Sequence, residues 1–288
     1  MSAAADPTAA IERRLRTRAL GRPLIWVPRL DSTMDEARRR VDDAGPGTAI
    51  LAGEQSRGRG RRGRVFVSPP GGLYLSVILE PLPEPHHSWR LGFALALAAR
   101  RAVMAAGGPA LSFKWPNDLL RGQRKVGGVL LELLTPAGGA ARVIAGIGLN
   151  LGPDPSRLDA AARGAGAVSL PGSSAEALAM VAAELLEAFE ARTRLLLDGG
   201  WPQILGEVRA CIVPRVGGRI TVRTPAGDLL RGDFVDLAAD GALVLRDLDS
   251  GEVRALRHGE IASIDGGGAG GARGLESGGG KGQDRAQW

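Results

Sequence analysis

The stretch QSRGRGRRGRVFVSPPGG, residues 55–72, constrains the fold more than any other part of this sequence. It lies between two patterns that are typical of strands, and three of its glycines fit the spacing of a dinucleotide-binding loop. Such a loop works only when a helix follows at once and directs its N-terminus at the pyrophosphate. Pro69 and Pro70 exclude that helix here. The stretch therefore predicts a glycine-hinged loop with five arginines between two strands of a sheet.

Three interpretations of this loop remain open: a solvated charged turn, an arginine-rich arm for nucleic acid, and a mobile cationic flap. Arms of that kind usually alternate arginines with aromatic residues for base stacking, and Phe66 alone is not a stacking platform. The chain has 37 basic and 31 acidic residues, a modest imbalance that favours an anionic ligand over a polyanion. A flap that is mobile when empty can become ordered when an anion neutralises its arginines.

The remaining pattern predicts an α/β (α+β) protein in which helices pack on a mixed sheet. Apolar residues alternate over 73–80 as in a strand, and residues 88–108 are mostly apolar over the length of a helix. Short strand patterns with turns follow residue 212, at the size of an SH3-like β-barrel. The expected segments are a flexible N-terminal segment (1–20), a large ligand-binding domain (21–212), the barrel (213–265) and a disordered Gly-rich tail (266–288).

Several function classes are excluded by simple counts. The single cysteine, Cys211, cannot form an internal disulfide and fits a reducing cytosol. The three histidines lack the spacing of a zinc site, and the motifs of serine hydrolases and P-loop NTPases are absent from the sequence. The N-terminus does not resemble a signal peptide, and no apolar run approaches the ~18 residues of a membrane span. We expect a soluble, cytoplasmic protein without a membrane partner.

Polar residues also stand at the ends of later strand patterns. KWPND presents Lys114, Asn117 and Asp118 at a turn, and RKVGG places Lys125 before two glycines that let a ligand approach the backbone. Without a functional role, Asn117 and Asp118 would be ordinary turn residues and Lys125 a surface lysine. This chain has only three lysines, however, and two of them lie in this segment. GIGLN, which ends at Asn150, is either a tight packing site or a flat wall for a ligand.

In this order, DST, EQSRGRGRRGR, KWPND, RKVGGVLLE, GIGLN and a small C-terminal barrel resemble the biotin protein ligase family over residues 24–265. The resemblance implies a catalytic domain related to class II aminoacyl-tRNA synthetases and lipoate ligases, followed by an SH3-like domain. It also implies an enzyme that uses ATP, Mg²⁺ and biotin to form biotinyl-5′-AMP. The biotinyl group would pass to a lysine of the carboxyl carrier domain of a biotin-dependent carboxylase. The short N-terminus matches the form without a DNA-binding domain.

The resemblance also implies which residues form the site. Lys125 would contact the biotin carboxylate and the α-phosphate, and Arg59 and Arg61 would belong to the flap that closes on them. Asp118 is the expected Mg²⁺ ligand, through the phosphates. The other residues expected to bind biotin or ATP are Ser32 and Thr33 at the ureido ring, Gln55 in the same pocket, Gly58, Lys114, Trp115, Asn117 on the adenine side, and Gly128 and Asn150 in the wall.

Two departures and two rival functions accompany this reading. Met34 stands where the family often has Asn, and Phe66 replaces a common Trp, which keeps a stacking surface but loses a polar N–H.

The nearest rival is a lipoate or octanoate ligase or transferase of the same fold, which would not usually carry this flap. An Arg-rich nucleic-acid-binding protein is the rival from another class, and it would bind oligonucleotides with a steep salt dependence.

Overall fold

The computed structural model describes residues 6–135, 140–152, 165–172 and 174–265. Contacts divide the chain into two compact units, with the boundary between Val213 and Pro214. The predicted tail at 266–288 lies outside the described residues. Within the described part, no helix combines the length and the hydropathy that crossing a membrane requires.

The first unit is a mixed sheet with helices packed on it, which confirms the predicted class. Its described helices are α1 (Thr8–Glu12), α2 (Thr33–Arg39), α3 (Arg90–Ala105), α4 (Ser174–Leu197) and α5 (Trp201–Cys211). Its described strands are β1 (Leu24–Leu30), β2 (Ala49–Gln55), β3 (Leu73–Leu79), β4 (Ser112–Lys114), β5 (Asp118–Arg121), β6 (Arg124–Leu134), β7 (Arg142–Leu149) and β8 (Ile212–Val213).

The strands are ordered β1-β2-β3-β7-β6-β5-β4-β8 across this sheet. The pairs at its two edges, β1 with β2 and β4 with β8, are parallel. The pairs between them are antiparallel. The central strands β3, β7 and β6 are therefore hydrogen-bonded on both sides, which makes them a rigid base for a site.

Strand β3 is buried along its whole length, although its alternating pattern is typical of a strand with one exposed face. Ser76 and Ile78 lie on the face covered by α2, where the Ser76 hydroxyl donates to that helix and Ile78 joins an apolar cluster with it. On the opposite face of the sheet α3 packs on the neighbouring strands, where Gly92 lies against Leu131 of β6. A small polar residue such as Ser76 is thus buried because it has a hydrogen-bond partner.

One row of paired residues crosses the sheet and contains much of the candidate site. The pairings join Tyr74 to Gly148, Gly148 to Gly128, Gly128 to Asp118 and Asp118 to Lys114. Strands lie about 4.8 Å apart, so the row spans about 19 Å from its first residue to its last. Directly paired residues share a face of the sheet. The two central glycines therefore leave bare backbone on the face that α2 covers.

The N-terminal segment is anchored where the structure describes it, whereas the sequence analysis treats residues 1–20 as flexible. Ile11 of α1 is fully buried. A carboxylate oxygen of Glu190 on α4 accepts the backbone N–H groups of Ala19 and Leu20 at 2.6 and 3.2 Å. Its other oxygen accepts the N–H of Arg18 at 2.9 Å. A buried carboxylate with several backbone donors holds this segment on the first unit.

The second unit consists of the strands β9 (Arg219–Arg223), β10 (Leu229–Leu237), β11 (Leu243–Asp247), β12 (Val253–Leu256) and β13 (Glu260–Ile264). They form an antiparallel sheet with the order β12-β11-β10-β9-β13. It is open, so the prediction of a closed barrel is wrong: in the described part β12 pairs only with β11, and β13 only with β9. The short edge strand β12 has four residues, none of them buried. It buries too little apolar surface to favour closure.

Candidate active site

A buried polar network surrounds the start of α2. Ser32 caps the helix, because its Oγ accepts the backbone N–H of Met34 at 3.3 Å. The N–H and the hydroxyl of Thr33 both donate to Oε1 of Gln55, at 2.8 and 3.2 Å. The hydroxyl of Ser76 donates to Oγ1 of Thr33 at 2.8 Å. The structure therefore brings together the three residues expected near the ureido ring, and it adds a fourth. We call these residues the neutral end of the site.

Close to this network, Asp31 fixes the entry to α2. Its carboxylate accepts two hydrogen bonds from the Arg39 guanidinium, at 2.9 and 3.0 Å, and one from the backbone N–H of Ser32 at 2.8 Å. The hydrogen bonds from Arg39, followed by the one from Ser32, lower the pKa of Asp31 from 3.8 to about 2, although burial opposes them. The side chain that precedes the cap is thus charged at all ordinary pH values.

The glycine/arginine stretch forms an ordered hairpin over residues 55–68, which we call the flap. Its first and last residues pair, and Arg59 pairs with Val65 further out. The tip is a 3₁₀ turn, Arg61–Gly63, in which Arg62 has a φ of 56°. Left-handed backbone at a non-glycine residue costs about 1 kcal/mol. The sequence predicts a loop here, and the structure shows a hairpin because the arms bond to each other before the tip is reached.

Three glycines, Gly146, Gly148 and Gly128, form a strip of bare backbone across β7 and β6, which we call the glycine strip. Met34 of α2 covers Gly146, and the ring of Phe66 from the flap covers Gly148. A Cβ atom at either glycine would clash with the side chain above it. The strip is therefore a flat surface that admits an apolar group at close range. In this structure Phe66 lies on one part of it.

Phe66 is held there by a second aromatic residue. Its ring meets that of Tyr74 edge to face, with centroids 6.4 Å apart and planes at 71°. The Tyr74 hydroxyl donates to the carbonyl oxygen of Pro69 at 2.7 Å, at the far end of the flap. Burial raises the pKa of Tyr74 well above its usual value. This neutral phenol therefore ties the end of the flap to the sheet.

Arg59, which is expected to contact the substrate, lies in a cluster of four charged side chains. Its Nη2 is 2.6 Å from Oε1 of Glu132 on β6, and its Nη1 is 2.8 Å from Oδ1 of Asp35 on α2. Arg38 of α2 pairs with the same two carboxylates. Glu132 is only 4% exposed. We call these four residues the charge cluster; its formal charge is zero.

At the opposite edge of the glycine strip, Asp118 lies between two lysines. Its Oδ1 is 2.6 Å from Nζ of Lys125, and its Oδ2 is 3.3 Å from Nζ of Lys114. The Nζ of Lys125 is also 3.4 Å from the position that a Cβ on Gly128 would occupy. The ammonium group therefore lies along the strip. We call these three charged residues the cationic end of the site, because two positive charges face one negative charge.

The two asparagines expected in the site are held by the backbone. Nδ2 of Asn117 donates to the carbonyl oxygen of Val129 at 2.7 Å, and Nδ2 of Asn150 donates to that of Gly166 at 3.0 Å. Both amides thus shape the ends of strands next to the glycine strip. Trp115, between the first asparagine and Lys114, is 2% exposed and belongs to the core.

The neutral and cationic ends lie at opposite sides of the glycine strip, which runs between β3 and β5. Three strand spacings separate these two strands, a distance of about 14 Å. Gly58 lies in the near arm of the flap, packed against the carbonyl oxygen of Phe66 with no room for a side chain. Arg61 lies at the tip of the flap and is half-buried. Of the predicted residues, Arg59 departs most from its expected place, because carboxylates occupy both ends of its guanidinium.

Sequence reasoning missed Ser76, Ser68 and Glu132. Ser68 accepts a hydrogen bond from Nε2 of Gln55 at 2.8 Å and so extends the network of the neutral end into the flap. Glu132 had a visible signal, since a carboxylate inside the apolar run VLLELL needs a cationic partner if that strand is buried. The two serines had none, because their hydrogen-bond partners come from other elements, Thr33 of α2 and Gln55 of β2.

Away from this site, the structure brings Glu84, His86 and His87 together at the turn before α3. Their potential ligand atoms lie within 4.8 Å of one another, although the spacing of the histidines predicts no metal site. The first two of these side chains are exposed, and the hydrogen-bonded pair is His87 Nδ1 with Glu84 Oε2, at 2.6 Å.

The chain belongs to the Biotin/lipoate A/B protein ligase family, whose pattern matches residues 26–150. It is similar to a biotin--[acetyl-CoA-carboxylase] ligase of Paracoccus denitrificans, with 36% identity over 224 residues, which cover 76% of this chain and 92% of that one. It is 30% identical to the enzyme of that name from Mycobacterium tuberculosis, over 81% of this chain and 89% of the other. The family resemblance of the sequence motifs is therefore confirmed.

A solved structure agrees with this assignment at the level of the fold. The biotin protein ligase from Aquifex aeolicus, in complex with biotin and ATP, matches with a TM-score of 0.65. The match covers 83% of this chain and 97% of that chain, at 24% identity. At that identity the match supports the architecture, and the site has to be argued from the residues of this chain.

Proposed function

We propose that this protein is a biotin protein ligase that condenses biotin with ATP to biotinyl-5′-AMP and then biotinylates a lysine of a carboxyl carrier domain. The observation that carries the proposal is the glycine strip with a neutral end and a cationic end. Biotin has the same polarity, with an uncharged ureido group at one end and a carboxylate at the other. Membership of the family and similarity to named biotin ligases favour biotin over other acids.

The neutral end suits the ureido group because it offers hydrogen-bonding groups without charge. Ser32 and Thr33 are 0% and 4% exposed. Together with Gln55 they can donate to the ureido oxygen and accept from its two N–H groups. A ligand that lacks these groups would leave buried polar atoms unpaired, which discriminates strongly between similar acids. Met34 and Phe66 provide apolar contacts for the rest of the bicyclic ring.

The cationic end suits the first chemical step, in which two anions have to approach each other. A carboxylate oxygen of biotin attacks the α-phosphorus of ATP, the bond to the β-phosphate bridge breaks, and pyrophosphate leaves with the electron pair. Lys125 and Lys114 would reduce the repulsion between the reactants and stabilise the charge that develops on the phosphoryl oxygens. Arg61 at the flap tip would add a further cation when the flap closes.

Magnesium enters this proposal with ATP, as part of the substrate. The sequence analysis assigns Asp118 to the ion, but both oxygens of that carboxylate lie against ammonium groups, at 2.6 and 3.3 Å. A metal ion at this carboxylate would therefore share its oxygens with two ammonium groups. We propose that Asp118 orients the two lysines.

Transfer to the carrier domain forms the second step. The neutral amine of a carrier lysine attacks the carbonyl carbon of the mixed anhydride, an amide forms, the amine loses a proton, and AMP leaves. Water would hydrolyse the same anhydride, so the intermediate has to be covered, and the flap is the element that can cover it.

We propose a cytoplasmic location, where ATP and carboxylases meet, and an SH3-like identity for the second unit.

Pyrophosphate release by the purified chain with MgATP tests the proposal. Biotin, lipoate and octanoate are compared at equal concentration, and the purified carrier domain of a carboxylase is added in a second series. We expect release with biotin alone and covalent biotin on the carrier. Release only with lipoate or octanoate would move the chain to the other branch of the family. No release with any acid, together with salt-sensitive binding to oligonucleotides, would support the nucleic-acid alternative.

A further inference from the structure

The charge cluster connects three elements that sequence places far apart. Glu132 comes from β6, Asp35 and Arg38 come from α2, and Arg59 comes from the flap. α2 carries two residues of the neutral end, and the flap carries the aromatic ring that covers the glycine strip. A change in this cluster therefore acts on both sides of the proposed biotin pocket at once.

Glu132 is the centre of the cluster because it is the most deeply buried of the four. Its side chain is 5% exposed, against 26% for Arg59, 29% for Asp35 and 31% for Arg38. A buried carboxylate without a cation is strongly unfavourable. The sheet therefore presents a fixed negative charge under the flap that has to be matched by arginine.

Arg59, together with Arg38, pairs with that charge, and it does so through both terminal nitrogens of its guanidinium. Nη2 bonds to Oε1 of Glu132 at 2.6 Å, while Nη1 contacts Oε2 at 3.4 Å and Oδ1 of Asp35 at 2.8 Å. Such two-point contacts fix the orientation of the side chain as well as its position. Both terminal nitrogens of the guanidinium are therefore engaged by carboxylates, one on β6 and one on α2.

We infer that Glu132 is a positioning residue which, through Arg59, holds the flap on the sheet, so that Arg59 anchors the flap rather than binding the anionic substrate. The inference rests on the proposed function for its effect on the reaction, but the anchoring itself is a property of the ligand-free chain. The anchor keeps the ring of Phe66 over Gly148 and the flap over the bound intermediate.

Amide hydrogen exchange on the ligand-free, full chain tests the anchor directly. The reporters are two backbone N–H groups inside the flap. That of Phe66 donates to the carbonyl oxygen of Gly58, and that of Gly60 donates to the carbonyl oxygen of Arg64, each at 2.8 Å. We expect Glu132→Gln and Arg59→Gln each to speed exchange at these amides by about tenfold. Exchange in α3, which lies in the same unit but outside the flap, should be unchanged, which shows that the first unit remains folded.

A matched control removes another buried carboxylate. Glu190 is 7% exposed, bonds to backbone N–H groups and pairs with Arg194 at 3.0 Å, outside the flap. Glu190→Gln should speed exchange around residues 18–20 and leave the flap amides as in the wild type. Flap amides of Glu132→Gln or Arg59→Gln that exchange at the wild-type rate would overturn the inference. The Arg59 variant tests the anchor even where the Glu132 variant fails to fold.

Kinetics separate an anchor from a substrate ligand. If Arg59 anchors the flap, both variants release biotinyl-5′-AMP faster by a similar factor, and the double variant is no worse than either single one. If Arg59 instead binds phosphate, Arg59→Gln raises the KM for ATP while Glu132→Gln, which frees the arginine, leaves it unchanged or lowers it. That second pattern would overturn the inference. A wild type that makes no adenylate would defeat the proposed function and leave the exchange result intact.

Discussion

The two ends of the glycine strip differ in how their polar groups are satisfied. At the neutral end, Thr33 donates to Gln55, Ser32 caps α2, and Ser32 and Thr33 are both buried. At the cationic end, Lys125 is 43% exposed and shares one carboxylate with Lys114. The first arrangement is held rigid by these bonds before a ligand arrives, whereas Lys125 in the second is exposed enough for an anionic ligand to reach it.

This difference assigns different tasks to the two ends. A rigid, uncharged network discriminates between ligands by geometry, because an incorrect ligand leaves buried donors and acceptors without partners. An exposed pair of cations discriminates poorly but stabilises negative charge that grows during a reaction. We therefore expect substitutions at the neutral end to change which acid binds, and substitutions at the cationic end to change the rate.

The largest effect is expected at the cationic end. Lys125→Ala removes the cation nearest the glycine strip, and we expect kcat for adenylate formation to fall by about 100-fold or more with a much smaller change in the KM for biotin. Lys125→Arg should restore part of the rate. Pyrophosphate release under saturating MgATP measures both parameters.

The neighbouring cation provides the control for Lys125. Arg124 is exposed and its guanidinium bonds to the carbonyl oxygen of Ala165 at 2.8 Å, so Arg124→Ala changes the charge of the same strand end without touching Asp118. We expect its rate to stay within about twofold of the wild type, the level of an ordinary surface substitution. Equal losses of rate in the Arg124 and Lys125 variants would mean that the rate depends only on the total positive charge at this strand end, and not on the position of the Lys125 ammonium group.

An intermediate effect is expected at the neutral end. Thr33→Val keeps the shape of the side chain but removes the hydroxyl between Ser76 and Gln55, so a buried network loses a member. We expect the KM for biotin to rise about tenfold, since the lost hydrogen bonds are worth about 1 kcal/mol each, while kcat stays close to the wild-type value. Titration of the adenylation rate with biotin measures this split.

Thr48→Val is the matched control for this substitution. The Thr48 residue is also fully buried, and its hydroxyl donates to the carbonyl oxygen of Gly45 at 2.8 Å, away from the site. Both variants should lose similar stability in urea, but the Thr48 variant should bind biotin normally. A normal KM for biotin in the Thr33 variant would contradict the assignment of the neutral end.

Much of the fold could be predicted because local patterns determined it. Strand β3 and the long helix α3 follow from apolar periodicity and from the glycine that ends the helix pattern. The open edge of the second unit could not, since closure depends on pairing between strands that are distant in the sequence. The anchoring of residues 18–20 depends on Glu190, far along the chain, and left no local signal.

The site shows the same division. The family resemblance proposed the residues of both ends, and each of its motifs lies on one turn or strand, which keeps its members together. It did not reveal that Arg59 is paired, because its partners Glu132 and Asp35 come from two other elements. It also did not reveal that Lys114 and Lys125 share Asp118, which requires the register of β4, β5 and β6.

The smallest effect is expected beside the neutral end, at a charge that supports it from outside. Asp31→Asn weakens the contacts of that side chain with Arg39 and with the N–H of Ser32, and should lower the free energy of unfolding at pH 7 by about 1 kcal/mol. The loss of stability is small because the Arg39 side chain is 52% exposed and solvent screens its ion pair with Asp31. Urea unfolding at several pH values measures the difference from the wild type.

The pH dependence gives this last prediction its sign. Folding lowers the pKa of Asp31 from 3.8 to about 2, mainly through the hydrogen bonds from Arg39, so its contribution is fully present above pH 3.8 and is lost as pH falls toward 2. The stabilities of the variant and the wild type should therefore converge over that window. Asp43→Asn, at an exposed carboxylate of the following loop, should show no such convergence. A constant gap between Asp31→Asn and the wild type down to pH 2 would mean that shape, rather than charge, holds the start of α2, and the neutral end would then owe its rigidity to packing alone.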